Sequence, residues 1–342
     1  MYLSVRQFSS QKPCRQLSQE LLNKFEEYIV YQKTPKKLKT MIYRPTNSQQ
    51  LIAADLIDST GKPLAPQTYK GPPRQNDLVK LINQCESYDE FLKVRQLIFD
   101  VTRNSKKKPS VLTSKPLTPF LIKAAQLNRL PHSLTTLWTL PTEWYSQFDP
   151  SIASTVVMLE YLKVAERGTT DQHLDHASLD KRLQKSEKIL RDKFQDAIAE
   201  QVQQDPLTNL LKLSCHIKAE EINNFNSVVQ LEPYLELHLA KGAAIKLPDV
   251  SRFALKSVAQ GSKFKIYAQY KYDYCKIQIV NASLNNLQAH ISNPAIAEII
   301  HKLTPFLDTM ETIGESIGYS NLLVEFENTM QFPKHIPPPS SE

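Results

Sequence analysis

Five cations, Lys33, Lys36, Lys37, Lys39 and Arg44, crowd into one stretch flanked by Tyr31 and Tyr43. Such a group suits a polyanionic backbone. Cations neutralise phosphates and release their counterions, and an aromatic face stacks on an unpaired base. Two further groups repeat the composition: Lys62, Lys70 and Arg74, then Arg103, Lys106, Lys107, Lys108 and Lys115. Lysine dominates all three, so the expected chemistry is phosphate positioning without base readout. A single charge run is most simply a solvated linker. Three runs, all in segments expected to be irregular, favour nucleic-acid contact.

The other chemically suggestive groups carry less. "TTDQHLDHASLD" holds Asp171, His173, Asp175, His176 and Asp180, ligand types that suit zinc or manganese. It has no distant partner ligand in the sequence, and a polar surface loop explains it. His132, His216, His238, His290 and His301 each stand near apolar residues, with no nucleophile at a motif spacing. Glu220 and Glu221, like Asp192 and Asp196, read as an exposed helix face. Tyr267, Tyr270, Tyr272 and Tyr274 offer either a stacking platform or an internal packing seam, and the seam is the commoner use. Cys14, Cys85, Cys215 and Cys275 form no CxxC pair, which fits a reducing compartment and supplies neither zinc site nor disulfide framework.

Glycine is scarce: seven in 342 residues, about 2% against a usual level of about 7%. Phosphate loops, dinucleotide turns and nucleophile elbows need glycine where the backbone nears a ligand or takes positive φ. None of GxGxxG, GxxxxGK[ST], GxSxG or HExxH is present. The expectation is a protein without enzymatic activity, with no catalytic residue, metal, cofactor or small-molecule substrate. No apolar stretch approaches the length of a membrane span.

The elements that must position the cations are mostly helices. Leu17, Leu21, Leu22, Phe25, Tyr28 and Ile29 keep helical steps and predict a helix over Ser18–Tyr31. From Lys33 to Arg74, prolines 35, 45, 63, 66, 72 and 73 and few large apolar residues predict an extended basic segment, ordered only on a partner. Helical pattern resumes at Asn76. Leu78, Leu81 and Ile82 mark one helix, and Ser87 caps the next. Thr118-Pro119, Asp149-Pro150 and Asp205-Pro206 each read as an N-cap followed by proline. Further helices are expected over Ile152–Arg167, Leu179–Gln204, Ala219–Phe225, Leu231–Leu239, Val250–Ala259, Ala295–Leu303, Pro305–Ile313 and Asn321–Met330. Lys263–Val280 alternates like a strand in part but keeps helical steps, and helix is favoured because a lone hairpin has no sheet to join. The fold expected is all-α, an α-solenoid-like or irregular helical array with an extended basic N-terminal arm. No repeat period is sharp enough to name.

Charge follows this organisation. Residues 1–130 hold 22 Lys/Arg against 10 Asp/Glu, and residues 131–342 hold 20 against 25. The expected division is a leader at 1–8, a first helix and basic arm over 9–75, a helical body over 76–332 and a proline-rich tail over 333–342. The leader reading rests on "MYLSVRQFSS", basic and acid-free with an Arg6-Gln7-Phe8-Ser9 processing pattern, which is the composition of a mitochondrial import sequence.

Together, "MYLSVRQFSS", the arm "YQKTPKKLKTMIYRPT" and the glycine-poor helical region resemble the fungal mitochondrial ribosomal proteins of the accessory small-subunit type. The resemblance is one of composition and architecture over most of the chain, with no residue-level motif to carry over. It implies a structural component of the mitochondrial ribosome in the matrix. Its partners would be rRNA, met by the basic arm, and other mitochondrial ribosomal proteins, met by the body. The alternatives are a free mitochondrial helical-repeat RNA-binding protein acting on messenger RNA and, further off, an enzyme subunit centred on the histidines near 173–176.

Overall fold

The structure, a computed structural model, describes residues 17–57, 61–69, 71–103, 111, 113, 115–128, 149–167, 175–194, 196–225, 228–319 and 321–330. The expected leader and tail, Lys70, Lys106, Lys107, Lys108, His132, Asp171 and His173 lie outside them. The described residues are helical, and their only β pairing is one isolated bridge, Ile57 to Pro63. No described helix is long and apolar enough to cross a membrane. The chain divides into two compact units, Met1–Phe120 and Leu121–Glu342.

In the first unit, α1 (Gln19–Lys33) begins where the Ser18 hydroxyl accepts from the Leu21 amide, and it buries Phe25, Tyr28 and Ile29. It packs against α4 (Gln75–Gln84) and α5 (Tyr88–Arg103). Leu78, Leu81 and Ile82 from α4, with Phe91, Val94, Ile98 and Val101 from α5, complete this core. Ser87 caps α5 as its position predicts, accepting from the Glu90 amide at 3.3 Å. Helix α6 (Leu117–Gln126) starts two residues before the expected Thr118 cap: the Phe120 amide already donates to the Pro116 carbonyl, so Pro119 falls in a first turn that needs no amide from it.

The segment expected to be extended is instead folded on itself. Helix α2 (Lys36–Ile42), a 3₁₀ turn at Pro45–Asn47 and α3 (Ser48–Ala53) occupy its first half. Helices this short are marginal alone, and what holds them is aromatic. Tyr69 stacks on Tyr31 at 3.9 Å, and Tyr43 meets Tyr31 edge-on at 4.9 Å. The Gln67 amide donates to the Ile42 carbonyl at 2.8 Å, and Ile42 and Leu51 are buried. The proline count forbade one long helix, but it left room for short ones pinned by tyrosines.

The second unit is arranged around α10. Its sequence neighbours are α7 (Ser151–Arg167), α8 (His176–Phe194) and α9 (Asp196–Gln204), which together replace the two helices expected there. Helix α10 (Pro206–Ile222) begins at Asp205, whose carboxylate accepts from the Thr208 amide, and runs through the expected break before Ala219. It is buried nearly throughout and touches α7, α8, α9, α11 (Glu232–Gly242) and α12 (Gln260–Gln288). In a solenoid each repeat meets only its neighbours; a helix enclosed by so many others makes this an irregular array.

Helix α12 settles Lys263–Val280 as helix, and α13 (Pro294–Ser316) runs antiphase to no break at Pro305. Pro305, His301 and Lys302 are exposed, so the carbonyl deprived of an amide faces water while Ile299, Leu303, Phe306 and Met310 keep the buried stripe continuous. Of the expected Val250–Ala259 helix only the 3₁₀ turn Ser251–Ala254 forms. Helix α14 (Leu322–Thr329) closes on α12, where Asn321 caps it by accepting from the Leu323 amide. The tyrosines of α12 are a packing seam: Tyr267 lies 5.1 Å from Tyr319, and Tyr272 6.4 Å from Phe326.

Gly242 ends α11 where a Cβ would come within 2.7 Å of Leu210 Cγ, and Leu210 is fully buried. Gly242→Ala is therefore expected to destabilise the second unit by about 1–3 kcal/mol through overpacking, despite alanine's better helix propensity. Denaturant titration followed by circular dichroism checks this; an unchanged or raised midpoint would show that Leu210 has room to yield.

Candidate functional site

The cations of the first group sit on helices. Lys33 closes α1, where a positive charge suits the helix dipole. Lys36 and Lys37 form the first turn of α2, which has no acidic residue and no side-chain cap. Cations at that end oppose the dipole, so helix stability does not account for them. Lys33, Lys36, Lys37 and Arg44 are exposed. Lys39 differs: its Nζ lies 4.5 Å from the Tyr31 ring centroid and donates to the Gln32 carbonyl at 3.3 Å. It belongs to the tyrosine cluster. Tyr69 within that cluster is held up to about 12 by burial and by Tyr28, Tyr31 and Tyr43 around it, so its hydroxyl stays neutral.

Lys62 is exposed beside the Ile57–Pro63 bridge. Arg74 is exposed at the start of α4, where its amide donates to Asp77 Oδ2 at 2.8 Å. Arg103 ends α5 and Lys115 precedes α6, both exposed. The site expected from sequence is thus a set of surface positions on the first unit. A correction goes with it: the first group is presented by α1 and α2, not by irregular backbone.

Lys24 pairs with Asp77 at 2.7 Å. Burial by itself raises Asp77, but Lys24 and the Arg74 amide more than offset it and hold the carboxyl below its usual range. Asp77 thereby closes the first turn of α4 and ties α4 to α1.

A second constellation lies in the second unit, and sequence reasoning missed it. His176 is buried, not in a surface loop, and His216 and Glu220 are buried too. His176 Nε2 lies 2.6 Å from Glu220 Oε1, and its Nδ1 lies 3.0 Å from His216 Nδ1. His216 Nε2 is 3.3 Å from Asp180 Oδ1 without hydrogen-bond alignment. The Tyr234 hydroxyl donates to Asp180 Oδ2 at 2.7 Å, and its ring stacks on His216 at 3.7 Å. Burial, with His176, His238 and Lys212 nearby, drives His216 down to about 2. His238 is held down to about 4, chiefly by burial, and donates through Nδ1 to Asn209 Oδ1 at 3.0 Å.

Asp175 caps α8, accepting from the Ala177 and Ser178 amides. Among the described residues no group of three or more His, Cys, Asp and Glu is arranged to hold a metal ion. The signal in the sequence was spacing. His176 and Asp180, and His216 and Glu220, are both i,i+4 pairs, so each pair shares one helix face.

Residues 4–84 match the family model described as the MRP13-like N-terminal domain. This match supports a mitochondrial ribosomal protein family. It spans α1 to α4, the helices that carry Lys33, Lys36, Lys37 and Arg44.

Asp77→Ala is expected to lower the stability of the first unit by about 1 kcal/mol, the usual cost of a lost helix cap. Because the folded carboxyl titrates low, the wild-type advantage is present above about pH 4 and is lost as pH falls below it. Denaturation of both proteins at pH 7 and pH 3 checks this; equal stabilities at pH 7 would remove Asp77 from the support of the unit.

Proposed function

We propose that the chain is a structural component of the small subunit of the mitochondrial ribosome, acting in the matrix without enzymatic activity. Its first unit binds rRNA phosphates through Lys33, Lys36, Lys37 and Arg44. The groups Lys62, Lys70 and Arg74, and Arg103, Lys106, Lys107, Lys108 and Lys115, extend that contact. Its helical body meets neighbouring ribosomal proteins. The observation that carries the reading is the coincidence of the family match at residues 4–84 with exposed cations on α1 and α2. These cations have no ion-pair partner among the described residues, and two of them oppose their own helix dipole. Phosphates would compensate both deficits. Lys39 is left out of the proposed contact, because its ammonium is already committed to Tyr31 and Gln32.

Such a protein sediments with the small ribosomal subunit from a mitochondrial lysate and stays with it at high salt. Migration as a small free species at both low and high salt would overturn the proposal in favour of a free RNA-binding protein. Replacing Lys33, Lys36 and Lys37 together by glutamine is expected to lower the salt dependence of RNA binding. The log–log slope should fall by about two to three units, since each lost phosphate contact removes about 0.7 on single strands and about 0.9 on duplex. Lys39→Gln should leave the slope as it is. A triple variant with an unchanged slope would show that these lysines do not touch phosphate.

A further inference from the structure

The chain of contacts Glu220–His176–His216–Asp180 has a proton count that its geometry fixes. The two imidazoles present four ring nitrogens. His176 Nε2, 2.6 Å from a carboxylate oxygen, needs a proton between them. The two Nδ1 atoms, 3.0 Å apart, need one proton between them, since two bare lone pairs at that distance repel and two N–H groups collide. His216 Nε2 is buried and faces Asp180 Oδ1 at 3.3 Å, and a bare nitrogen so close to a carboxylate oxygen repels as well. Three protons on two imidazoles is one more than two neutral rings carry. Placing the extra proton on Glu220 instead leaves the total unchanged. We infer that this buried network is a proton-held clasp: it joins α8 to α10 only while it keeps one proton beyond two neutral imidazoles and two carboxylates.

The clasp has three helices in its grip. His176 and Asp180 come from α8, His216 and Glu220 from α10, and Tyr234 from α11 stacks on one ring and bonds to the terminal carboxylate. The other charged groups on these helices are mostly engaged elsewhere. On α8, Asp175 caps the helix and Glu187 pairs with Lys212 of α10. Helix α7 brings Glu160, which is held by Lys163 and Arg182. Cys215 on α10 is driven up by burial and stays a neutral thiol. On α11, His238 bonds to Asn209 and Lys241 to the Gln203 carbonyl. From α12, Lys276 and Asp273 are occupied at the start of α7, and α9 offers only the exposed Glu200 among its described side chains. None of these supplies a second proton donor to the gap between the rings. The extra proton therefore sits opposite Glu220 and is released only when the clasp opens.

The sign of the pH dependence follows. Below about pH 6.5 the two histidines of the unfolded chain hold two protons and the folded pair holds one, so acidification favours unfolding. Above about pH 6.5 the unfolded pair holds none and the folded pair still holds one, so alkalinisation favours unfolding too. The clasp contributes most near pH 6.5. On the alkaline side it weakens the folding constant by up to about tenfold per pH unit.

Two measurements on the full chain test this. The first is a long-range ¹H–¹⁵N spectrum of ¹⁵N-histidine protein at pH 7.5, with His176→Gln and His216→Gln used for assignment. Three protonated nitrogens shared by His176 and His216 are expected; two neutral rings would overturn the proposal. The second is denaturation between pH 6.5 and 8, a window below the titration of thiols and lysines. Wild type should lose stability with rising pH, and His176→Gln should lose that slope. A wild-type slope that persists unchanged in His176→Gln would also overturn it. Should the variants fail to fold, the wild-type spectrum decides, because a neutral pair and a singly charged pair differ in their nitrogen shifts.

Discussion

A helix enclosed on several sides must find a partner inside the protein for each polar group it carries, because an unpaired buried group costs about 1–3 kcal/mol and a buried charge costs more. Helix α10 is under that constraint, and the second unit is arranged to meet it. Asn209 receives His238 from α11, Lys212 receives Glu187 from α8, and His216 and Glu220 receive Asp180 and His176 from α8. The order of polar residues along α10 thus dictates which helix lies beside each of its turns. Apolar burial supplies most of the stabilisation, but it is non-directional. The polar pairs decide the rotation of α8 and α11 about their own axes, since a turn of either helix would strand a buried carboxylate or ring. Lys276, fully buried, does the same between α12 and α7, donating to the Ser151 carbonyl and the Ser154 hydroxyl.

The first unit answers a different constraint. Its helices α2 and α3 are too short to persist alone, and prolines prevent them from lengthening. Order comes from aromatic area: three tyrosines in mutual contact, two of them ring to ring, hold the proline-bearing strand against the end of α1. Lys39 covers the Tyr31 ring from the outside, its ammonium facing the negative face of the ring. The same stretch therefore contains cations that build the unit and cations that do not, and only their surroundings distinguish them.

How much of this could be read from the sequence depends on range. Caps are local, so Ser18, Ser87, Asp205 and Asn321 were legible as helix starts, as was the helical step of α12. The failures are long-range. Tyr69 meets Tyr31 across more than thirty residues of proline-rich chain, and no local pattern announces that pairing. His176 and His216 lie forty residues apart, and Glu220 was read as exposed because its neighbour Glu221 is. Pro305 was read as a boundary because local rules penalise it, and it is tolerated because the carbonyl it frees faces water. The candidate cations were legible as residues, but their helical setting was not.

The two units thereby divide the charges of the chain into those the fold explains and those it leaves. In the second unit the buried charges are answered from within: Glu160, which burial alone would raise, is kept below its usual range by Lys163 and Arg182. In the first unit Lys24, Lys39 and Asp77 are answered in the same way. Lys33, Lys36, Lys37 and Arg44 are not. They are exposed, they lie on a short helical stretch held rigid by tyrosines, and two of them oppose the dipole of their helix. Mobile cations on a linker would lose conformational freedom on meeting a polyanion; cations mounted on an ordered surface have already lost part of it. The tyrosine cluster thus does more than fold the segment: it presents these cations in a fixed arrangement, which favours a partner whose own charges are fixed.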